Sequence, residues 1–134
     1  MVFSQSVQQA LARHATATAG EIQQLELGLA ELHLEHGPPG ARQHLDLAAR
    51  FLAGEASPAD LAEARQECWA HAGSLACGCS AADSATSAAF LAVLDASAAA
   101  HTSASLSEQV ERALRAGVSE ASVLQVLGKS PQGY

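Results

Sequence analysis

Basic residues are scarce: 7 Lys and Arg stand against 14 Asp and Glu in 134 residues, for a formal net charge of −7. A surface of that sign repels phosphate backbones and anionic lipid, so neither nucleic acid nor a membrane is an expected partner; a basic protein surface is. Aromatics are scarcer still, with three Phe, one Tyr and one Trp. The core must therefore be filled by Leu, Ala and Val, and a Leu- and Ala-rich core is a helical one. No run of about 18 apolar residues escapes polar interruption, the small-residue stretch 85–100 being broken by Asp95 and several serines, so no membrane span is expected. The N-terminus, MVFSQSVQQALARH, lacks the positive segment and continuous apolar run of an export signal. With three cysteines and no visible signal, a cytoplasmic protein with reduced thiols is the expectation.

What is present reads as helix throughout. Hydrophobic residues reach 49%, enough for one domain over residues 1–134, with residues 129–134 expected as a frayed tail. Positions Val7, Leu11, Ala15, Thr18, Ile22, Leu25, Leu29 and Leu32 keep three-and-four spacing up to the breaker Gly37-Pro38-Pro39-Gly40. They predict one long N-terminal helix or two collinear ones, with a weak point at ATATAG, residues 15–20. A second helix closes at Gly54, where a left-handed cap is expected, with Asp46 and Arg50 paired on its polar strip. SPAD starts a third: Ser57 caps, Pro58 fits the first turn and Asp60 meets the helix dipole. SAAD, residues 80–83, opens a fourth, expected to reach His101 at the centre of the bundle. SLSE, from Ser105, and Ser119 open the last two. The expected fold is all-α: a single-domain bundle of about six helices, mostly antiparallel, with a long N-terminal helix.

On the wheel of the third helix, Leu61, Ala64, Cys68, Ala72 and Leu75 share a face, while Asp60, Glu63 and Glu67 line up away from it. That acidic stripe is the first candidate surface for a partner, with Asp83 added because it begins the next helix. Trp69, beside the core face, is expected to pack at a helix junction. The last two helices, in ALRAGVSEASVL, make a helix-turn-helix-like pair carrying Arg112 and Arg115, but Glu108, Glu111 and Glu120 argue against a DNA-reading role on an acidic chain.

The stretch ECWAHAGSLACGC, residues 67–79, holds all three cysteines. Cys68, His71, Cys77 and Cys79 form C-x2-H-x5-C-x-C, four soft ligands of the kinds zinc takes. Zinc modules separate two ligand pairs by a longer span, so the preferred reading is three buried or half-buried thiols, and metal is the minority one. A thioredoxin-type pair needs Cys-x-x-Cys, and Cys77-Gly78-Cys79 is one residue short. His33, Glu35, His36 and His44 cluster around LHLEHG, where a helix C-terminus accounts for histidines. No H-E-x-x-H, G-x-S-x-G or P-loop pattern occurs, so no catalytic residue and no cofactor is assigned.

The run ARQHLDLAARFLAGEASPADLAEARQECWAHAGSLA, about residues 40–75, carries an Ala-rich helix ending in F-L-A-G-E, a Ser-Pro restart and a helix of A-x-A-R-x-x-x-W-A-H type. It resembles the immunity-protein-like all-α domains found beside bacterial polymorphic toxins. That resemblance implies a non-enzymatic module that binds and blocks a cognate toxin, with a basic toxin domain as partner, and it carries over no individual site residue. A second stretch, ALRAGVSEASVLQVL, is similar to the helix-turn-helix segment of alkyl hydroperoxidase D-like domains. It implies a competing thiol-redox or metal-binding protein centred on Cys68, Cys77 and Cys79.

Overall fold

The computed structural model describes residues 2–74 and 80–128. Among the described residues seven α-helices follow one another: α1 (Gln5–Ala12), α2 (Ala19–Glu31), α3 (Ala41–Leu52), α4 (Pro58–Ser74), α5 (Ala81–Val93), α6 (Ser103–Arg115) and α7 (Glu120–Leu127). Single 3₁₀ turns at Leu34–His36 and Ala98–Ala100 follow α2 and α5. No strand occurs among the described residues, and no described helix is long and apolar enough to cross a membrane.

Helix starts are written in hydroxyls. Ser4, Thr18, Ser57, Ser80, Thr102 and Ser119 each accept the backbone N–H three residues on, satisfying an amide that the first turn leaves unpaired. Only α3 lacks such a cap; it starts after Gly40, whose φ of 79° glycine tolerates. Gly54 closes α3 in the left-handed region, as the sequence predicts.

The long N-terminal helix does not form. The chain breaks between Ala12 and Ala19, where Thr18 is extended and exchanges hydrogen bonds with Glu21, its N–H to Oε1 at 2.8 Å and the Glu21 N–H to Oγ1 at 3.2 Å. This capping box makes Thr18 the first residue of a new helix rather than an apolar position of an old one. His14, inside the break, donates from Nε2 to the Leu127 carbonyl at 2.7 Å and ties the turn to the end of α7. Two other boundaries also move. α5 stops at Val93 instead of His101, and α6 starts on the Thr102 cap instead of at Ser105.

Two apolar clusters form the core. Val7, Ile22, Leu25, Leu29, Leu106, Val110, Val123 and Leu127 join α1, α2, α6 and α7. Leu27, Ala30, Leu45, Leu61, Cys68, Phe90 and Leu94 join α2, α3, α4 and α5. α5 packs against α2, α4 and α6, as its small side chains allow, but the helix that contributes to both clusters is α2. A helix buried on so many sides buries polar groups too, and Gln23 and Glu26 lie inside with its leucines. α4 is at the opposite extreme: of its 17 residues only Leu61, Ala64 and Cys68 are buried.

Candidate partner-binding surface

α4 is built from a firm start. Ser57 Oγ accepts the Asp60 N–H at 3.1 Å and Asp60 Oδ2 accepts the Ser57 N–H at 3.0 Å, a reciprocal pair that fixes where the exposed flank begins. The Ser57 backbone and hydroxyl hydrogen bonds hold the Asp60 carboxyl below its ordinary pKa. Three residues on comes Glu63, and a further turn on comes Glu67, whose Oε2 lies 3.5 Å from His44 Nε2. Among the described residues the Glu63 side chain has neither a hydrogen bond nor an ion pair.

These three carboxylates face α3 across a groove of about 330 Å³. Its other wall carries Gln43 and Arg50, and Leu47, Ala64 and the nearly buried His44 make its floor. Asp60, Glu63 and Glu67 are thus gathered as the helical wheel requires. Asp83 is placed elsewhere: it stands 3.4 Å from His36 Nδ1 in a separate depression of about 180 Å³, shared with Glu35, Gly37 and His71. His71 is one turn beyond Glu67, so that depression continues the flank of α4 on which the three carboxylates stand. Asp46 pairs with Arg42 at 3.9 Å, not with Arg50, which lines the groove instead.

Trp69 does not pack at a junction. It is 55% exposed, on the flank of α4 opposite the carboxylates. Arg65 holds it there: Nε donates to the Leu91 carbonyl at 2.8 Å while the guanidinium carbon sits 5.9 Å from the indole centroid. Between Glu63 and Trp69 the outward face of α4 is Ala59, Ala62, Gln66, Ala70 and Gly73, all exposed.

Of the cysteine cluster, Cys68 is buried in the second apolar cluster, where burial and then the Glu67 charge push its thiol up to about 11. A thiol so shifted is a poor nucleophile at neutral pH. His71 instead lines the depression beside Asp83, and Cys77 and Cys79 lie outside the described residues, as does the tail 129–134. Among the described residues no three His, Cys, Asp or Glu side chains are grouped to hold a metal ion.

Sequence reasoning missed a buried polar network. Glu26, fully buried on α2, accepts from His101 Nδ1 at 2.5 Å and from Ser105 Oγ at 2.9 Å. His101 Nε2 donates to the Asp95 carbonyl at 2.6 Å, which also accepts the Gln23 amide at 3.2 Å. The available signal was Gln23 and Glu26 embedded among Ile22, Leu25, Leu27 and Leu29, where no helical face is left for water. Comparison with family models, with curated proteins and with solved structures finds no match to this chain.

Proposed function

We propose that this protein is a non-enzymatic binding module that docks a basic protein along α4, and that it serves as the immunity partner of a toxin. The observation that carries the reading is the row of Asp60, Glu63 and Glu67 on one exposed flank, with the Glu63 side chain unpaired among the described residues. Like charges at i and i+4 cost a helix a few tenths of a kcal/mol, about 0.2–0.5, a cost that cationic groups of a partner would offset. Electrostatic steering by such a row accelerates encounter with a basic cleft and disfavours acidic competitors.

The rest of α4 suits the same role. Its small outward residues let a partner element approach the helix closely, and Trp69, braced by Arg65, offers an aromatic anchor at the far edge. Occlusion of a toxin cleft needs only this face.

The test uses the purified product of a toxin-like reading frame adjacent to the gene, titrated calorimetrically at several salt concentrations. Asp60 is left intact because it caps α4. The double variant Glu63→Lys/Glu67→Lys is expected to bind at least about tenfold more weakly and to flatten the salt dependence. Unchanged affinity and an unchanged salt slope would remove the site assignment.

A further inference from the structure

The connection from α5 to α6, residues 94–102, is fastened to α2 by side chains rather than by backbone pairing. Gln23 donates to the carbonyls of Val93 and Asp95 at 3.0 and 3.2 Å, and His101 spans the remaining gap between Asp95 and Glu26. Ser105, in the first turn of α6, meets the other Glu26 oxygen. The charged groups that face His101 are Glu26 from α2 and Asp95 from the connection itself.

Both ring nitrogens of His101 confront acceptors. The Asp95 carbonyl can only accept, so Nε2 carries a hydrogen. On the other side Nδ1 and Glu26 Oε1, 2.5 Å apart, must hold one further proton between them, whichever of the two formally owns it. Removing that proton sets a carboxylate lone pair against an imidazole lone pair inside a site where His101 is 4% exposed and Glu26 is 0% exposed. Water cannot relieve the clash without entering, and a buried carboxylate stripped of its donor is costly.

We propose that Glu26 and His101 form a proton-operated latch: the proton held between them fastens the α5–α6 connection to α2, and its loss as pH rises frees that connection while the rest of the bundle stays folded. Burial alone would lower the His101 pKa, but the Glu26 hydrogen bond, the Asp95 carbonyl and the two negative charges outweigh it and raise the value above the ordinary 6.5. The latch is therefore fully closed below about pH 6.5 and opens as pH rises through the raised pKa. Opening detaches the exposed turn at Ala98–Ala100 and the Thr102 cap of α6.

The experiment follows the ring nitrogens of His101 by ¹⁵N NMR on the full chain across a pH series. Amide exchange, corrected for its intrinsic pH dependence, is measured on the same samples. A single His101 step above 6.5 is expected, and in that step residues 96–106 should lose protection by about tenfold, the equivalent of one charge-assisted hydrogen bond, while α3 and α4 hold theirs. Glu26→Gln separates a latch from a merely structural contact. Its amide can donate to Nδ1 of a neutral His101, so the connection should stay closed without the proton and the loss of protection with rising pH should vanish. A neutral His101 paired with an ionised Glu26 at pH 6, a step that persists unchanged in Glu26→Gln, or a loss of protection spread evenly over all helices would each overturn the proposal. The wild-type titration decides it even where the variant fails to fold.

Discussion

His33 can only donate to Thr86. Nδ1 lies 2.7 Å from Thr86 Oγ1, and the threonine spends its own proton on the Ala82 carbonyl at 2.8 Å, so the imidazole supplies the hydrogen between them. That fixes the tautomer and leaves Nε2 a bare lone pair, buried and without a partner among the described residues. Protonating it would place an N–H where no acceptor stands.

Acid should therefore weaken the fold through His33. Burial, and then the neighbouring His36, lower its pKa to about 4. The unfolded chain takes up a proton near 6.5 that the folded one refuses, so stability falls as pH drops from about 6.5 to about 4, by up to roughly 3 kcal/mol. Urea unfolding at a series of pH values measures the slope. His33→Asn, whose amide can still donate to Thr86, should flatten it in that window. The caps at Glu21 and Asp60, whose carboxyls are also held low, begin to lose their contribution only near their ordinary values of 4.5 and 3.8, so the slope between about pH 6.5 and 5 is free of them. An identical slope in His33→Asn would refute the assignment.

Two glycines should respond to alanine in opposite directions. A Cβ on Gly37 would stand 2.8 Å from Ala41 Cβ, 3.0 Å from the Leu34 carbonyl oxygen and 3.2 Å from Phe90 Cζ. Backbone and a buried ring cannot yield cheaply, and Gly37→Ala is expected to cost about 2 kcal/mol. Gly20, in the first turn of α2, has nothing within 4 Å of a built Cβ and an ordinary helical backbone. Gly20→Ala should stabilise by up to about 1 kcal/mol, because the unfolded chain loses freedom and no contact is strained. Chemical denaturation of both variants reads both signs.

Helix starts and the polar groups of α2, α4 and α5 differ in how far the sequence discloses them. Ser57-Pro58-Ala59-Asp60 and Ser80 were legible as helix starts because serine beside a proline or an acidic N3 position has one dominant use. The spacing of Thr18 from Leu11 and Ile22 fits a helical stripe, and only the reciprocal bond with Glu21 shows that its hydroxyl begins a new helix after α1 has already ended at Ala12. The carboxylate row on α4 followed from the wheel alone, since Asp60, Glu63 and Glu67 needed no tertiary information to share a flank. Asp83 did need it: its place beside His36 depends on how α5 meets the 3₁₀ turn. Nor does local pattern join Glu26 to His101, which are 75 residues apart in the chain.

Cys68 should be chemically quiet. Its side chain lies among Leu61, Phe90 and Leu94, and its thiol is shifted up to about 11. In a Cys77→Ser/Cys79→Ser background, reaction with a disulfide reagent at pH 8 should be slower than in urea-unfolded protein by more than a hundredfold, because it waits for opening of the core. Burst labelling in the folded state would place the thiol at the surface and revive the redox reading for this residue.

Trp69 should behave as a surface residue despite being the single tryptophan of the chain. At 55% exposure it buries too little area for truncation to leave a cavity, and Arg65 stands over its ring. Trp69→Ala is expected to change stability by no more than about 1 kcal/mol, the size of an exposed cation–π contact. Arg65→Ala should cost as much or more, since it also removes the hydrogen bond that fastens α4 to the Leu91 carbonyl. Fluorescence gives an independent reading: emission of the free protein should be red-shifted and readily quenched by acrylamide, and Arg65→Ala should leave it so. Docking of a partner along α4 should shift the emission to the blue and shield it from the quencher. A blue, shielded emission in the free protein would contradict the exposed position of the indole, and binding without any spectral change would remove Trp69 from the proposed interface while leaving the carboxylate row to be judged by its salt dependence.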